Sequence, residues 1–177
     1  MGWWTTKLQG MAESLAARHH FKWELVSGCC RIEMENVSLA TYDWQRLGVD
    51  SVALHPSQAD LLFIGGWINS QRADEIKSVF SQMRKPTSVI ALGACALSGS
   101  PYFTGTTELQ DHMRMVQDNT GAGSRIIKAS DLVPIDIYVA GCPPRPEAIL
   151  DAILELQRKL KPGPSVDKVL HEAFRSH

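Results

Sequence analysis

Several stretches of this chain are apolar along their whole length, whereas a half-buried strand is apolar only at alternate positions. Residues 61–64 and 88–92 are strand-sized stretches of this kind, and helical patterns lie between the predicted strands. Strands that are buried on both faces occur mainly in parallel sheets that helices cover. The sequence therefore predicts an α/β fold with a parallel sheet and helices on both faces.

The other predicted elements continue this alternation of strands and helices. Hydrophobic periodicity and the positions of glycine and proline give their boundaries. The further strands are predicted at 21–26, 49–54 and 135–140, and the helices at 32–47, at 73–83 and between the prolines at 143–146 and Pro162.

One domain accounts for most of the chain. The α/β domain is predicted at 21–161, and it contains a polar inserted loop region at 98–131. Long excursions of this type are typical of binding or partner-contact loops. An amphipathic helix or arm is predicted at 1–20 and a tail helix at 162–177.

Charge and hydropathy argue against two classes of protein. The 18 Lys and Arg residues and 19 Asp and Glu residues give a net charge of −1, whereas a nucleic-acid binder normally carries a basic excess. No run approaches the roughly 18–20 apolar residues that span a bilayer. The N-terminus has no apolar signal-peptide core and fits a transit peptide poorly. We therefore expect a reducing compartment and no nucleic-acid partner.

The four cysteines follow the ends of predicted strands. A glycine closes an apolar stretch at three places, and cysteines follow it directly or within two residues. These cysteines are Cys29 and Cys30, Cys95, and Cys142. The carboxyl ends of parallel strands lie along one edge of a sheet, where ligands bind. Segments separated by 65 residues (Cys30 to Cys95) and 47 residues (Cys95 to Cys142) are therefore expected to bring four thiols to one edge.

The spacing of these thiols leaves three interpretations open. Disulfides fit a reducing compartment poorly, and structural zinc usually takes C-x₂-C pairs, which this chain lacks. An iron–sulfur cluster accepts ligands from separate segments, and four cysteines are the ligand set of a [4Fe–4S] centre. Structural zinc and buried cysteines without a ligand remain the alternatives, since free cysteine is often buried.

Two motifs are similar to those of a known family. Residues 28–35 read GCCRIEME and residues 133–144 read VPIDIYVAGCPP, with GACA at 93–96 between them. These segments resemble the 20-kDa (PSST-type or B-type) iron–sulfur subunit of respiratory complex I, which is related to the small subunits of membrane-bound [NiFe] hydrogenases. The similarity covers residues 22–160, and the tandem cysteine pair favours the complex I branch.

The resemblance implies a flavodoxin-like α/β fold with one [4Fe–4S] cluster at the carboxyl ends of the strands. Cys29, Cys30, Cys95 and Cys142 match the cluster ligands of the family. No residue is expected to act as an acid, a base or a nucleophile in the cluster's own electron transfer.

The resemblance also implies an acceptor and partners. The cluster of the family passes electrons to a quinone, close to the stretch that Glu33 and Met34 match. The expected partners are a large hydrogenase-like (49-kDa-type) subunit, other cluster-bearing subunits and membrane-arm subunits. The chain is thus expected to be a subunit of an NAD(P)H- or ferredoxin-linked quinone oxidoreductase that translocates ions. Its expected location is peripheral, on the cytoplasmic face of the plasma or inner membrane.

The chain departs from the family at two positions that concern the acceptor. Ser57 stands where the family has an arginine, and Gln71 stands where it has a lysine. His55 is a candidate for the missing positive charge. Two alternatives therefore stay open: the small subunit of an ion-pumping, ferredoxin-linked [NiFe] hydrogenase-type complex, and a zinc-stabilised structural module.

Several other conspicuous side chains have structural interpretations. Asp43 and Arg46, three residues apart, are expected to form an ion pair at a helix end. Trp44 and Trp67 are interpreted as core or interface anchors. Asp136 lies in an apolar strand and is expected to have an interchain or helix-end partner.

Overall fold

A computed structural model of the chain describes residues 20–50, 53–99 and 127–160. Nearly all of the predicted arm at 1–20, the greater part of the loop region at 98–131 and the tail at 162–177 lie outside these residues. The described part forms one parallel sheet that helices cover on both faces.

The sheet has five strands in the order β2-β1-β3-β4-β5, and every neighbouring pair is parallel. This order is that of flavodoxin-like proteins, in which ligands bind outside the carboxyl ends of the strands. The predicted fold class is therefore confirmed. The strands are β1 (His20–Val26), β2 (Val49–Asp50), β3 (Leu61–Gly65), β4 (Ser88–Leu92) and β5 (Ile137–Val139).

The helices divide the apolar side chains of the sheet between two cores. Helices α1 (Cys29–Ser38) and α4 (Pro146–Leu160) pack over one face. Helices α2 (Ser70–Gln82) and α3 (Gly93–Ser98) pack over the other. Strands β3 and β4 are buried at every position, because helices cover them on both faces and neighbouring strands lie on both sides.

Three predicted boundaries were wrong in the first half of the chain. The predicted helix at 32–47 is two elements, because α1 begins at Cys29 and ends at Ser38, and a separate 3₁₀ turn spans Trp44–Leu47. Asp43 has a left-handed φ of 42°, which no continuous helix accommodates. The predicted strand at 49–54 includes only Val49–Asp50 as strand among the described residues.

Two further differences lie in the second half. Strand β5 is shorter than the predicted 135–140, because the Asp136 carboxylate accepts the Val89 N–H at 2.7 Å just before the strand begins. The Asp136 carboxylate thus has an intrachain strand-end partner. The backbone carbonyl oxygen of Asp136 also accepts a hydrogen bond from Lys159 Nζ, in the last turn of α4, at 3.1 Å, which agrees with the predicted helix-end contact. In the predicted loop region, the described end is part of the domain, since Ala129 is fully buried.

A cluster of charged and polar groups lies at the amino end of the sheet. The Asp60 carboxylate accepts the Phe21 N–H at 3.0 Å, and it lies 3.2 Å from Arg84 Nη2 and 3.4 Å from His20 Nδ1. These contacts join the starts of β1 and β3 to the turn before β4. The cysteines follow the opposite ends of the strands, so the Asp60 cluster and the thiols are at different edges.

A buried lysine lies between β1 and the 3₁₀ turn. Lys22 Nζ is 3.7 Å from the centre of the Trp44 ring and forms an ion pair with Glu24. The Trp44 ring stacks on Phe63 at a centroid distance of 5.9 Å, which confirms its interpretation as a core residue. The predicted pair of Asp43 and Arg46 is also present, with 2.7 Å between Oδ2 and Nε.

No helix in the described ranges is both long and apolar enough to cross a bilayer. The longest of them is α4, with 15 residues and a clear apolar face. That face is used within the domain, where Ile149, Ile153 and Leu156 are buried against the sheet.

Candidate metal centre

The first pair of thiols is placed by the junction of β1 and α1. The Ser27 N–H donates to the Gly65 carbonyl at 3.1 Å, which extends the pairing with β3 by one residue. Gly28 then has a φ of +63°, a conformation that only glycine adopts readily, and α1 begins at the next residue. Cys29 is exposed in the first turn of this helix, whereas Cys30 is buried.

The other two thiols are placed by the ends of β4 and β5. Helix α3 begins immediately after β4, and Cys95 lies in its first turn with a partly exposed side chain. Cys142 follows β5 and is exposed. The Ala94 N–H donates to the Gly141 carbonyl at 2.8 Å, and this bond fixes the two segments to each other.

All four cysteines line one cavity at the carboxyl edge of the sheet. Its volume is about 340 Å³, and its wall includes Ser27, Gly66 and Trp67 as well as the thiols. One water molecule occupies roughly 30 Å³ in the liquid, so the cavity has room for a group of many atoms. The structure thus brings together four residues that the sequence separates by up to 113 positions, from Cys29 to Cys142.

The four donors come from three separate segments of the chain. Within residues 20–50, 53–99 and 127–160, no three His, Cys, Asp or Glu side chains are close enough to hold a single metal ion. Sulfur ligands of one zinc ion lie about 2.3 Å from the metal and hence close to one another. The cavity of about 340 Å³ that the four thiols line has room for a group larger than one ion.

Two glycines make the cavity possible. A Cβ on Gly93 would lie 2.5 Å from Cys30 Sγ, and a Cβ on Gly66 would lie 2.4 Å from Ser27 Oγ. Both are shorter than real Cβ contacts. Side chains at these positions would therefore fill the space that the thiol and the hydroxyl occupy.

Burial determines the protonation of the inner thiols. Burial raises the pKa of Cys30 to about 11, and the negative charges of Cys29 and Cys95 add to this, although the Gly66 N–H opposes it. Burial also raises the pKa of Cys95, with Cys142 and Cys29 as further causes. Both thiols are therefore protonated near pH 7, and they must lose these protons when they bind a metal.

Glu33 and Met34, which the resemblance places near a quinone, have different surroundings. Glu33 is half-buried and accepts a hydrogen bond from Asn36 Nδ2 at 3.2 Å. Met34 is only 2% exposed and packs in the core between α1, α4 and the sheet. Neither residue lines the cavity, and of the two only Glu33 is accessible from outside.

The positions that depart from the family lie elsewhere on the surface. His55 Nδ1 accepts the Ser57 N–H at 3.2 Å and thereby caps the short turn Pro56–Gln58. Gln71 is exposed in the first turn of α2. None of the three side chains lines the cavity.

Sequence reasoning missed three residues of the site. Ser27, Gly66 and Trp67 line the cavity, and Trp67 is 39% exposed at its edge. Gly66 and Trp67 directly follow β3, so the rule that located the cysteines at strand ends applies to them as well. This strand end has no cysteine, however, so the sequence did not indicate that its residues belong to the site.

Comparisons with known proteins agree with the resemblance indicated by the motifs. A family model described as "NADH ubiquinone oxidoreductase, 20 Kd subunit" matches residues 27–156. The B-type subunit of NADH-quinone oxidoreductase from Aliarcobacter butzleri (strain RM4018) is 40% identical over 146 residues, or 81% of this chain and 75% of that protein. The corresponding subunit from Herpetosiphon aurantiacus is 35% identical over 159 residues, or 89% of this chain and 78% of that protein.

Two solved structures have a similar fold. A subunit of the membrane-bound sulfane sulfur reductase, an archaeal respiratory membrane complex, superimposes with a TM-score of 0.65 and 28% identity, over 85% of this chain and 75% of that one. A chain of an NAD⁺-reducing [NiFe]-hydrogenase superimposes with a TM-score of 0.55 and 17% identity, over 85% of this chain and 98% of that one. The second likeness supports the fold alone.

Proposed function

This chain belongs to the NADH ubiquinone oxidoreductase 20 kDa subunit family, and from that premise we propose that it is an electron-transfer subunit. In this proposal Cys29, Cys30, Cys95 and Cys142 hold one [4Fe–4S] cluster. Electrons pass from it to a quinone at the interface with a large partner subunit. The enzyme is then a membrane-attached oxidoreductase that couples this transfer to ion translocation.

One observation carries the proposal: four cysteines from three strand ends line one cavity of about 340 Å³. Thiolates are the ligands that iron–sulfur clusters require, and a [4Fe–4S] cluster takes four of them. Zinc held by the same four residues is less well supported, because structural zinc usually takes C-x₂-C pairs, which this chain lacks.

The chain's own residues would give this site its properties. A bound cluster supplies one-electron chemistry, and its potential depends on net charge, hydrogen bonds to sulfur and solvent exposure. Cys30 is held inside the domain, where its sulfur lies 3.8 Å from the Leu92 carbonyl oxygen. Cys29 and Cys142 lie on the exposed side. The site is therefore closed towards the core and open towards the surface.

The open side supports a role for a partner. Exposed Cys29 and Cys142 and the partly exposed Trp67 border the cavity there. A partner subunit on this side would exclude water from the cluster and place an acceptor next to it. The accessible Glu33 is the residue of this chain proposed to lie nearest the quinone.

Metal analysis of the intact complex tests the proposal. The complex is purified anaerobically from native membranes, and iron, acid-labile sulfide and zinc are measured, with low-temperature EPR before and after dithionite. We expect a dithionite-dependent EPR signal that Cys142→Ala abolishes. The matched control Ser81→Ala, on α2 and away from the cavity, should keep it. Zinc in place of iron in this subunit, or a signal that survives Cys142→Ala, would contradict the proposal.

A second candidate function differs only in the acceptor. The 28% identity to a subunit of the sulfane sulfur reductase complex, together with Ser57 and Gln71, favours an enzyme in which electrons leave the cluster for a non-quinone acceptor. Proton reduction in a ferredoxin-linked hydrogenase-type complex belongs to this class. Assays of the same purified complex with a quinone, with protons and with polysulfide distinguish these acceptors.

A further inference from the structure

Ser27 is the one hydroxyl-bearing side chain among the described residues that line the cysteine cavity. It lies at the end of β1, two residues before Cys29 and half-buried. Its backbone is fixed by the hydrogen bond to the Gly65 carbonyl. The sheet therefore fixes the Ser27 backbone at the wall of the cavity.

Gly66 leaves space beside this hydroxyl. The position that a Gly66 Cβ would take is only 2.4 Å from Ser27 Oγ. Ser27, Gly66 and Cys30 all line the same cavity. The Ser27 hydroxyl and the Cys30 sulfur thus belong to one wall, with no side chain at Gly66 beside the hydroxyl.

We propose that Ser27 sets the reduction potential of the metal centre by donating its O–H to a sulfur in this cavity. The proposal rests on the proposed function, since it presupposes an iron–sulfur cluster on the four cysteines. A hydrogen bond to sulfur stabilises the reduced, more negative form of a cluster and so raises its potential. Ser27 is a positioning and tuning residue in this scheme and not a ligand.

The chemistry of the wall supports this assignment. A serine hydroxyl has one proton to donate and can rotate to direct it. The other named wall residues apart from the cysteines are glycines, an alanine and Trp67. A single side-chain O–H in such surroundings has few competitors for the sulfur atoms, and charge-assisted hydrogen bonds are stronger than neutral ones.

Potentiometric titration of the intact complex, followed by EPR, tests the proposal. At the wild-type midpoint potential, Ser27→Ala should lower the ratio of reduced to oxidised cluster by roughly three- to tenfold. A tenfold change corresponds to about 59 mV for one electron. Ser27→Thr, which keeps the hydroxyl, should leave the ratio within about twofold of wild type.

Ser38→Ala is the matched control. It removes the same hydroxyl group at the end of α1, where Ser38 Oγ donates to the Glu35 carbonyl at 2.6 Å on the exposed surface. Its titration should be that of the wild type. A control that shifts as much as Ser27→Ala would overturn the assignment.

The outcomes separate this inference from the proposed function. If wild-type complex carries the cluster and Ser27→Ala titrates like wild type, the tuning role is wrong and the cluster assignment stands. If the Ser27→Ala complex does not retain iron, the Ser27→Thr complex tests the proposal instead. A midpoint potential equal to that of the wild type supports the role of the hydroxyl, and a lowered midpoint potential refutes it. A wild-type subunit without iron refutes both proposals.

Discussion

Replacing Gly93 by alanine should empty the proposed metal centre while leaving the rest of the domain folded. The residue has a φ of +81°, and a Cβ there would lie 2.5 Å from Cys30 Sγ and 3.5 Å from the Gly141 carbonyl oxygen. Ordinary contact begins at 3.4 Å, so the thiol has to move by roughly 1 Å in a core that is close-packed.

Two terms give the size of the effect. A non-glycine residue in the left-handed region costs about 1–2 kcal/mol, and overpacking a core costs about 1–3 kcal/mol more. Each kcal/mol lowers the melting temperature of a domain of this size by roughly 2–4 °C. The folded state therefore survives, but the displaced sulfur no longer lies where the other three cysteines require it.

Gly28→Ala separates strain from displacement. Gly28 also has a positive φ, +63°, but nothing lies within 4 Å of its Cβ position. Iron per complex and the EPR signal are measured for both variants. We expect the iron content of the Gly93→Ala complex to be at least about fivefold lower than that of the Gly28→Ala complex. Equal iron contents would show that contact with Cys30 is not what makes Gly93 necessary.

Three further predictions concern the charged groups and the thiols. Asp60→Asn should lower the free energy of unfolding by about 1.5–3 kcal/mol in urea titrations, because this buried carboxylate accepts hydrogen bonds from the Phe21 N–H and from Arg84. Asp43→Asn, in an exposed pair, should lower it by less than about 1 kcal/mol, and equal losses would refute the comparison. Burial lowers the pKa of Lys22, so the unfolded chain holds this proton more tightly. The free energy of unfolding should therefore increase with pH between the lowered pKa of Lys22 in the folded chain and its ordinary value of 10.5. The Lys22→Met variant should not show this increase. Cys30 has a pKa of about 11, so roughly 0.1% of it is thiolate at pH 8. In metal-free protein it should therefore react with iodoacetamide at least about tenfold more slowly than the exposed Cys29. Peptide mass spectrometry measures both rates.

The sheet was predictable because burial on both faces leaves an unambiguous pattern. Strand β4 was predicted at its observed bounds, and β3 differs by one residue at Gly65. Helix boundaries were harder, since Val37 and Trp44 share an apolar spacing that a single helix would also produce. The helix ends between them at Ser38, and Asp43 then takes a left-handed conformation, which apolar periodicity does not record.

The cysteine site was predictable to a similar depth. Thiols at strand ends followed from the parallel topology, because all carboxyl ends lie at one edge. Helix α3 was not foreseen, since six residues are too few for a periodic pattern, yet it is the element that positions Cys95. The remaining wall residues, Gly66 and Ser27, act through close approach in three dimensions, and their types alone carry no such information.

The distribution of the thiols over three strand ends also governs the order of biogenesis. Cys30, Cys95 and Cys142 meet only after β1 has paired with β3, β3 with β4, and β4 with β5. These are long-range contacts, which form late because each closes a large loop. A ribosome-bound fragment that ends before β5 therefore has three of the four thiols and no complete cavity. A metal group that needs all four thiols can therefore be held completely only after translation has passed residue 142.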